Sequence, residues 1–151
     1  MKPIFAISTG LALALALAAL SASAAPALPN PCKLITVAEI EQIAGPLKEA
    51  PKATDPASGE VACTFSPRKG PDFIEIALHD GDLAAWKTGN GGKNPAAAPE
   101  FGSGAFVTPD FQDFAELYAK KGNLVLRVSA PKGAQSVELV KSVARKALPR
   151  L

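Results

Sequence analysis

The chain has 151 residues and a formal net charge of +2, from 16 Lys and Arg against 14 Asp and Glu. Its basic residues fall in pairs such as Lys120-Lys121 and Arg145-Lys146 rather than in a clustered face, which argues against nucleic acid as a partner. Two cysteines and one histidine are too few for a structural zinc site, so no metal and no cofactor are expected.

Met1–Lys2 gives a positive start, an apolar Leu/Ala run covers Leu11–Leu20, and Ala22-Ser23-Ala24 offers the small-x-small pattern of signal-peptidase cleavage. Cleavage is expected between Ala24 and Ala25, because a later cut would leave Pro26 first. Residues 1–24 then form a signal peptide, and 25–151 form a single exported domain long enough for a real core. The rival reading is an uncleaved anchor, which the small-residue site and the lack of basic stop-transfer residues weaken. No membrane insertion is expected after cleavage. Cys32 follows Pro29-Asn30-Pro31, whereas a lipidation site wants Leu and small residues before its cysteine. The expected location is periplasmic or secreted.

In an exported chain an even pair of cysteines reads as a disulfide. Cys32 and Cys63 are therefore expected to bridge, a closure worth about 3–4 kcal/mol in the chain-entropy model. They are too far apart for a C-x-x-C redox pair.

Thr36 and Glu39 form a capping box, flanked by Ile35 and Ile40 at staple positions. Val37, Ile40, Ile43 and Ala44 repeat at helical spacing, and Gly45-Pro46 stops the helix, which is expected over 37–44. Residues 47–59 read as irregular. Residues 60–66 alternate, with Val61, Cys63 and Phe65 on one face and Ala62 and Thr64 on the other. A turn through Arg68-Lys69-Gly70-Pro71 leads to a second strand over 72–79, with Ile74, Ile76 and Leu78 on one face.

Asp82 is placed to cap a short helix over 83–87 that buries Trp86. Residues 88–99 lack periodicity and read as a mobile loop. Strands are expected over 105–108, 114–119 and 124–129. In the last of these Leu124, Leu126 and Val128 face one way, and Val125, Arg127 and Ser129 the other, which suggests a sheet with one wetter face. A helix over 134–148 closes the chain before Pro149. The order implies an α+β fold: a two-layer sandwich with an antiparallel sheet of about five strands and helices packed on one face.

The run Pro31-Cys32-Lys33-Leu34-Ile35-Thr36-Val37-Ala38-Glu39-Ile40, with Gly45 ending the helix and Cys63-Thr64-Phe65 after a gap, resembles a family of small bacterial exported proteins and lipoproteins of unknown function. That family shows a P-C-x-L-x-T-x-x-E opening and a later C-x-aromatic. Gly102-Ser103-Gly104-Ala105-Phe106 matches its later Gly-x-Gly-x-Ala-aromatic stretch loosely. The motifs are structural, and the resemblance carries over no catalytic residue. The missing lipid-attachment cysteine implies an untethered protein.

Two segments invite a chemical reading. His79-Asp80-Gly81-Asp82 could bind a metal or move a proton, but Asp80-Gly81 is ordinary turn chemistry and Asp82 an ordinary cap. Gly89-Asn90-Gly91-Gly92-Lys93-Asn94 fails the phosphate-loop pattern, with Lys87 at the first glycine position and Asn94 where Ser or Thr is needed. Phe101, Phe106, Phe111 and Phe114 cluster. Phe106 and Phe114 are expected in the core, while Phe101 and Phe111, beside turn residues, are candidates for an exposed partner-binding surface. The expected function is a non-catalytic binding or interaction protein of the bacterial cell envelope. Its partner would be another envelope or secreted protein, such as an enzyme or toxin that it inhibits. The alternatives are a small-ligand carrier with a sheet–helix pocket and a hydrolase using His79 with Asp80 or Asp82.

Overall fold

The computed structural model describes residues 28–54, 60–90 and 95–151. The expected signal peptide (1–24), its expected cleavage site after Ala24 and residues 91–94 of the expected mobile loop lie outside the described residues. No helix among the described residues is long and apolar enough to cross a membrane.

Helix α1 (Val37–Ala44) matches its expected span. Thr36 Oγ1 accepts the Glu39 N–H at 3.2 Å and Glu39 Oε2 accepts the Thr36 N–H at 2.9 Å, so the capping box closes at both ends. Gly45, at φ +82, turns the chain out of the helix. The Cys32–Cys63 disulfide is present, with Cα atoms 5.1 Å apart. It joins a 3-10 turn (Pro31–Lys33) to the strand Val61–Phe65.

The sheet contains β1 (Lys52–Thr54), β2 (Val61–Phe65), β3 (Ile74–Asp80), β4 (Ala96–Ala97), β5 (Phe106–Phe111), β6 (Phe114–Lys121) and β7 (Leu124–Pro131). Their spatial order is β1-β2-β3-β7-β6-β5-β4, and every pairing is antiparallel. Helix α2 (Leu83–Asn90) separates β3 from β4, and α3 (Ser136–Ala147) follows β7. The α+β class is as expected. The sheet is larger than the expected five or so strands, because β1 and β4 are exposed edge strands of three and two residues. Such short segments carry no alternation and exist only through pairing with β2 and β5. The β5–β6 connection is a two-residue hairpin through Gln112 and Asp113, both at positive φ.

One face of the sheet is the apolar core. Cys63, Phe65, Ile76, Leu78, Leu117, Leu126 and Val128 are buried there against α1 and α3, whose Ile40, Val140, Val143 and Ala147 are fully buried. Each large side chain removed from water this way stabilises the fold by about 1.5–3 kcal/mol. Arg150, beyond α3, forks onto Glu39 (Nη1 to Oε2 2.6 Å, Nη2 to Oε1 2.7 Å) and donates to the Leu34 carbonyl at 3.1 Å. The carboxyl-terminal end is thereby fastened to the cap of α1.

The expectation that helices pack on one face alone is corrected by α2. Its Leu83 and Trp86 rest on Phe106, Tyr118 and Val125, which alternate along their strands with the core-facing residues. Gly81, at φ +144, carries the chain across after β3. Leu83 and Trp86, one turn apart, then supply the only apolar anchors of a helix whose described remainder is exposed.

Candidate functional site

The face beneath α2 is the wetter one, and register assembles it in rows. Thr64, Glu75, Ser129, Glu116 and Thr108 are successive cross-strand partners from β2 to β5. The adjacent row runs Ala62, Ala77, Arg127, Tyr118 and Phe106. Glu60, one residue before β2, falls beside His79 by the same register. Small residues at Ala62 and Ala77 leave space for the long side chain of Arg127 to reach across two strands.

Arg127 is the hub. Its Nη2 donates to Glu60 Oε1 at 2.8 Å and to Glu75 Oε1 at 2.7 Å, and its Nη1 lies 3.6 Å from Glu116 Oε1. The Tyr118 hydroxyl donates to Glu116 Oε2 at 2.7 Å. His79 Nε2 comes within 2.9 Å of Glu60 Oε2, but out of line for a hydrogen bond. Thr108 Oγ1, His79 Nε2 and Arg127 Nε are buried without a hydrogen-bond partner among the described residues. Aromatic rings wall the cluster: Trp86 lies 4.1 Å from His79 and 5.8 Å from Tyr118, and Tyr118 stacks on Phe106 at 4.8 Å, between ring centroids.

Burial and charge pull the ionisations apart. Burial pushes Glu116 above the usual carboxylate value, against its Tyr118 hydrogen bond and the Arg127 charge. At Glu60 burial acts the same way, but the His79 contact and the Arg127 charge outweigh it and hold the carboxyl low. Burial, with the neighbouring Glu116, drives the Tyr118 phenol far above its ordinary range. At Arg127 burial is overcome by the three carboxylates, which raise its basicity further. Arg127, Glu60 and Glu75 side chains are 20%, 15% and 24% exposed, so the cluster opens to solvent on its β2–β3 side. Such an arrangement orders a charged, hydrogen-bonding surface beside aromatic walls.

The residues singled out in sequence are dispersed. His79 joins the cluster through Glu60, not through Asp80 or Asp82. Asp82 Oδ1 instead accepts the Ala84 N–H at 3.2 Å, as the capping reading expects. Phe101 is 4% exposed, so its expected exposure is corrected: it lies in the apolar core with the Arg145 guanidinium over its ring at 5.7 Å. The 3-10 turn Pro99–Phe101 swings the ring inward. Phe111 is half-buried, beside the β5–β6 turn. Glu60, Glu75, Glu116 and Tyr118 were not singled out in sequence. The available signal was the non-core set of each alternating strand, Glu75/His79 and Glu116/Tyr118, next to the already recognised Arg127.

A second feature is a cleft of about 580 Å³ at one end of the molecule, where the end of α1, the β2–β3 turn and the β7–α3 loop meet. Ile43, Pro71 and Leu139 line its apolar side, and Lys69 and Lys132 its rim.

No family model and no curated protein matches the sequence. Among solved structures, a GTP binding regulator from Thermotoga maritima is similar at 16% identity and a TM-score of 0.41, over 80% of this chain and 93% of that one. A likeness at that level bears on neither fold nor function.

Proposed function

We propose that this chain is an exported, non-catalytic binding protein of the bacterial cell envelope, and that the polar face around Arg127 is its recognition surface. The observation that carries the reading is the convergence of Glu60, Glu75 and Glu116 on one guanidinium, beside Trp86 and Tyr118, on a face that among the described residues only a short helix covers. A charged network of this kind adds little net stability over an apolar packing, so its presence favours recognition over folding. The disulfide and the leader-like start of the chain support action in an oxidising compartment, periplasmic or secreted. The partner in this reading is another envelope or secreted protein. With Phe101 buried, the contact moves from the phenylalanine segment to the polar face.

The test uses residues 25–151, disulfide intact, as bait in envelope extract, compared with the Glu60→Gln and Glu75→Gln variants. A stoichiometric partner held by the wild-type protein and lost by both variants supports the reading. A partner held equally by all three moves the contact elsewhere. The small-ligand carrier stands as the second reading because of the 580 Å³ cleft. Native mass spectrometry of the purified protein tests it, and a retained small molecule displaced by Leu139→Trp would place the ligand there.

A further inference from the structure

The basic pairs that stand apart in sequence meet at one end of the fold, where α1 begins and α3 ends. The last turn of α3, with Arg145 and Lys146, stands beside the end of β6, whose Lys121 Nζ donates to the Pro149 carbonyl at 2.8 Å. Lys120 and Arg145 flank one turn: a Cβ on Gly102 would come within 3.9 Å of the Lys120 carbonyl oxygen, and the Arg145 guanidinium lies over Phe101. Arg150 donates to the Leu34 carbonyl, so the neighbouring Lys33 belongs to this end as well. The acids beside them are engaged, Glu39 by Arg150 and Glu100 by Lys141. Asp80 lies across β7, and Asp82 beyond it caps α2. Lys33, Lys120, Lys121, Arg145 and Lys146 are exposed and have no ion pair among the described residues. Cations in a last turn complement the helix dipole, which accounts for Arg145 and Lys146 but not for Lys33 and Lys120 on other elements. A second observation falls at the same end. Val37, 43% exposed, is the one large apolar side chain left exposed among the described residues, and it opens α1 two residues before Glu39.

We propose that this end docks on an anionic phospholipid surface, with Lys33, Lys120, Lys121, Arg145 and Lys146 among the headgroups and Val37 at the interface. The inference concerns a different face from the Arg127 cluster and rests only on the export part of the reading above. Flexible ammonium groups carried on the 3-10 turn and on β6 and α3 suit a surface of mobile phosphates, which adapts to them. Each Lys or Arg near such a surface strengthens partitioning by about fivefold, and the contributions accumulate without a shaped pocket. One exposed valine is too little apolar area for the centre of a stable protein contact, but beside a basic face it adds to attachment at a lipid interface. The contact is peripheral, made on the bilayer surface rather than through it.

The test is co-sedimentation of residues 25–151, disulfide intact, with vesicles of phosphatidylcholine alone and of equal parts phosphatidylcholine and phosphatidylglycerol. Binding to the mixed vesicles only, reduced by added salt, is expected. The double variant Lys120→Gln with Lys146→Gln, at two side chains that bond nothing in the structure, should weaken it by about tenfold or more. Lys48→Gln with Lys69→Gln removes the same charge from exposed residues at the opposite end, beside the β2–β3 turn, and should leave binding unchanged. No binding to the mixed vesicles, or equal weakening by both double variants, overturns the proposal. If vesicles fail while an envelope protein is retained by the wild type and lost by Lys120→Gln with Lys146→Gln, the basic end meets an acidic protein and the lipid assignment falls. The vesicle result is read without extract and without the glutamate variants, so the polar face and the basic end can each fail alone.

Discussion

Arg127 and Tyr118 stand directly opposite each other on β7 and β6, and both reach for the Glu116 carboxylate, one oxygen each. The pairing gives a buried acid two neighbours that favour its charged form and still leaves burial as the stronger influence. Removing Arg127 strands Glu60, Glu75 and Glu116 together. Arg127→Met is expected to destabilise the protein by about 2–4 kcal/mol, less than a fully buried pair would lose because the guanidinium retains some solvent. Adding Glu116→Gln to that variant should restore part of the loss. Urea unfolding of the single and double variants measures the coupling.

The disulfide closes a loop with a sequence separation of 31. Replacing both Cys32 and Cys63 by Ser is expected to lower stability by about 3–4 kcal/mol. The urea midpoint of the oxidised protein, compared with that of the variant, checks it. A midpoint unchanged by the substitution would show that the bridge does not constrain the unfolded chain.

Phe101 separates a surface role from a core role. The buried ring predicts that Phe101→Ser costs about 3 kcal/mol or more, whereas Phe111→Ser, at a half-buried site, costs less. Thermal melting of the two variants distinguishes them.

Much of the fold is legible in the sequence, and the reasons are local. Helix α1 carries its own start and stop in Thr36, Glu39 and Gly45, so its limits are readable without tertiary information. Strands β2, β3 and β7 alternate strongly enough to reveal both faces. Strands β1 and β4 are not legible, since Lys52-Ala53-Thr54 and Ala96-Ala97 become strands only when a neighbour offers its edge. The side on which α2 packs is equally hidden, because Leu83 and Trp86 say that one stripe is buried but not against what. The polar cluster is the hardest to foresee. Glu60, Glu75, Glu116 and Arg127 lie on or beside four strands, and only register makes them neighbours.

Acid should weaken the clasp between Glu39 and Arg150. The Arg150 hydrogen bonds and the Thr36 amide lower Glu39 from 4.5 to about 2. A carboxylate lowered on folding contributes stability that is fully present above its unfolded value and is lost as pH falls through the folded one. Stability should therefore decline between about pH 4.5 and 2, and Arg150→Ala should flatten that part of the profile. Glu116, raised on folding, contributes in the opposite sense, since protonation relieves its burial. Denaturation midpoints of wild type against Arg150→Ala below about pH 4.5, and against Glu116→Gln above it, separate the two.

Trp86 gives α2 an optical handle. Trp86→Ala should leave the apolar core intact while releasing the helix, with loss of about 1–3 kcal/mol. Hydrogen exchange should then quicken in residues 83–90 more than in β3 or β7. Uniform quickening across the sheet would mean that α2 is integral to the main cooperative unit.

The bridge from Cys32 to Cys63 also governs what a protease can accomplish. Lys48 and Lys52 lie within the segment it encloses. A trypsin cut at either leaves two pieces still covalently joined, the shorter one holding α1 and the longer one holding β2 onward. On a gel such a nicked molecule would run as one band without reductant and as two with it. Outside the cytoplasm, where proteases are common and thiols are oxidised, a single scission there would leave the molecule in one piece.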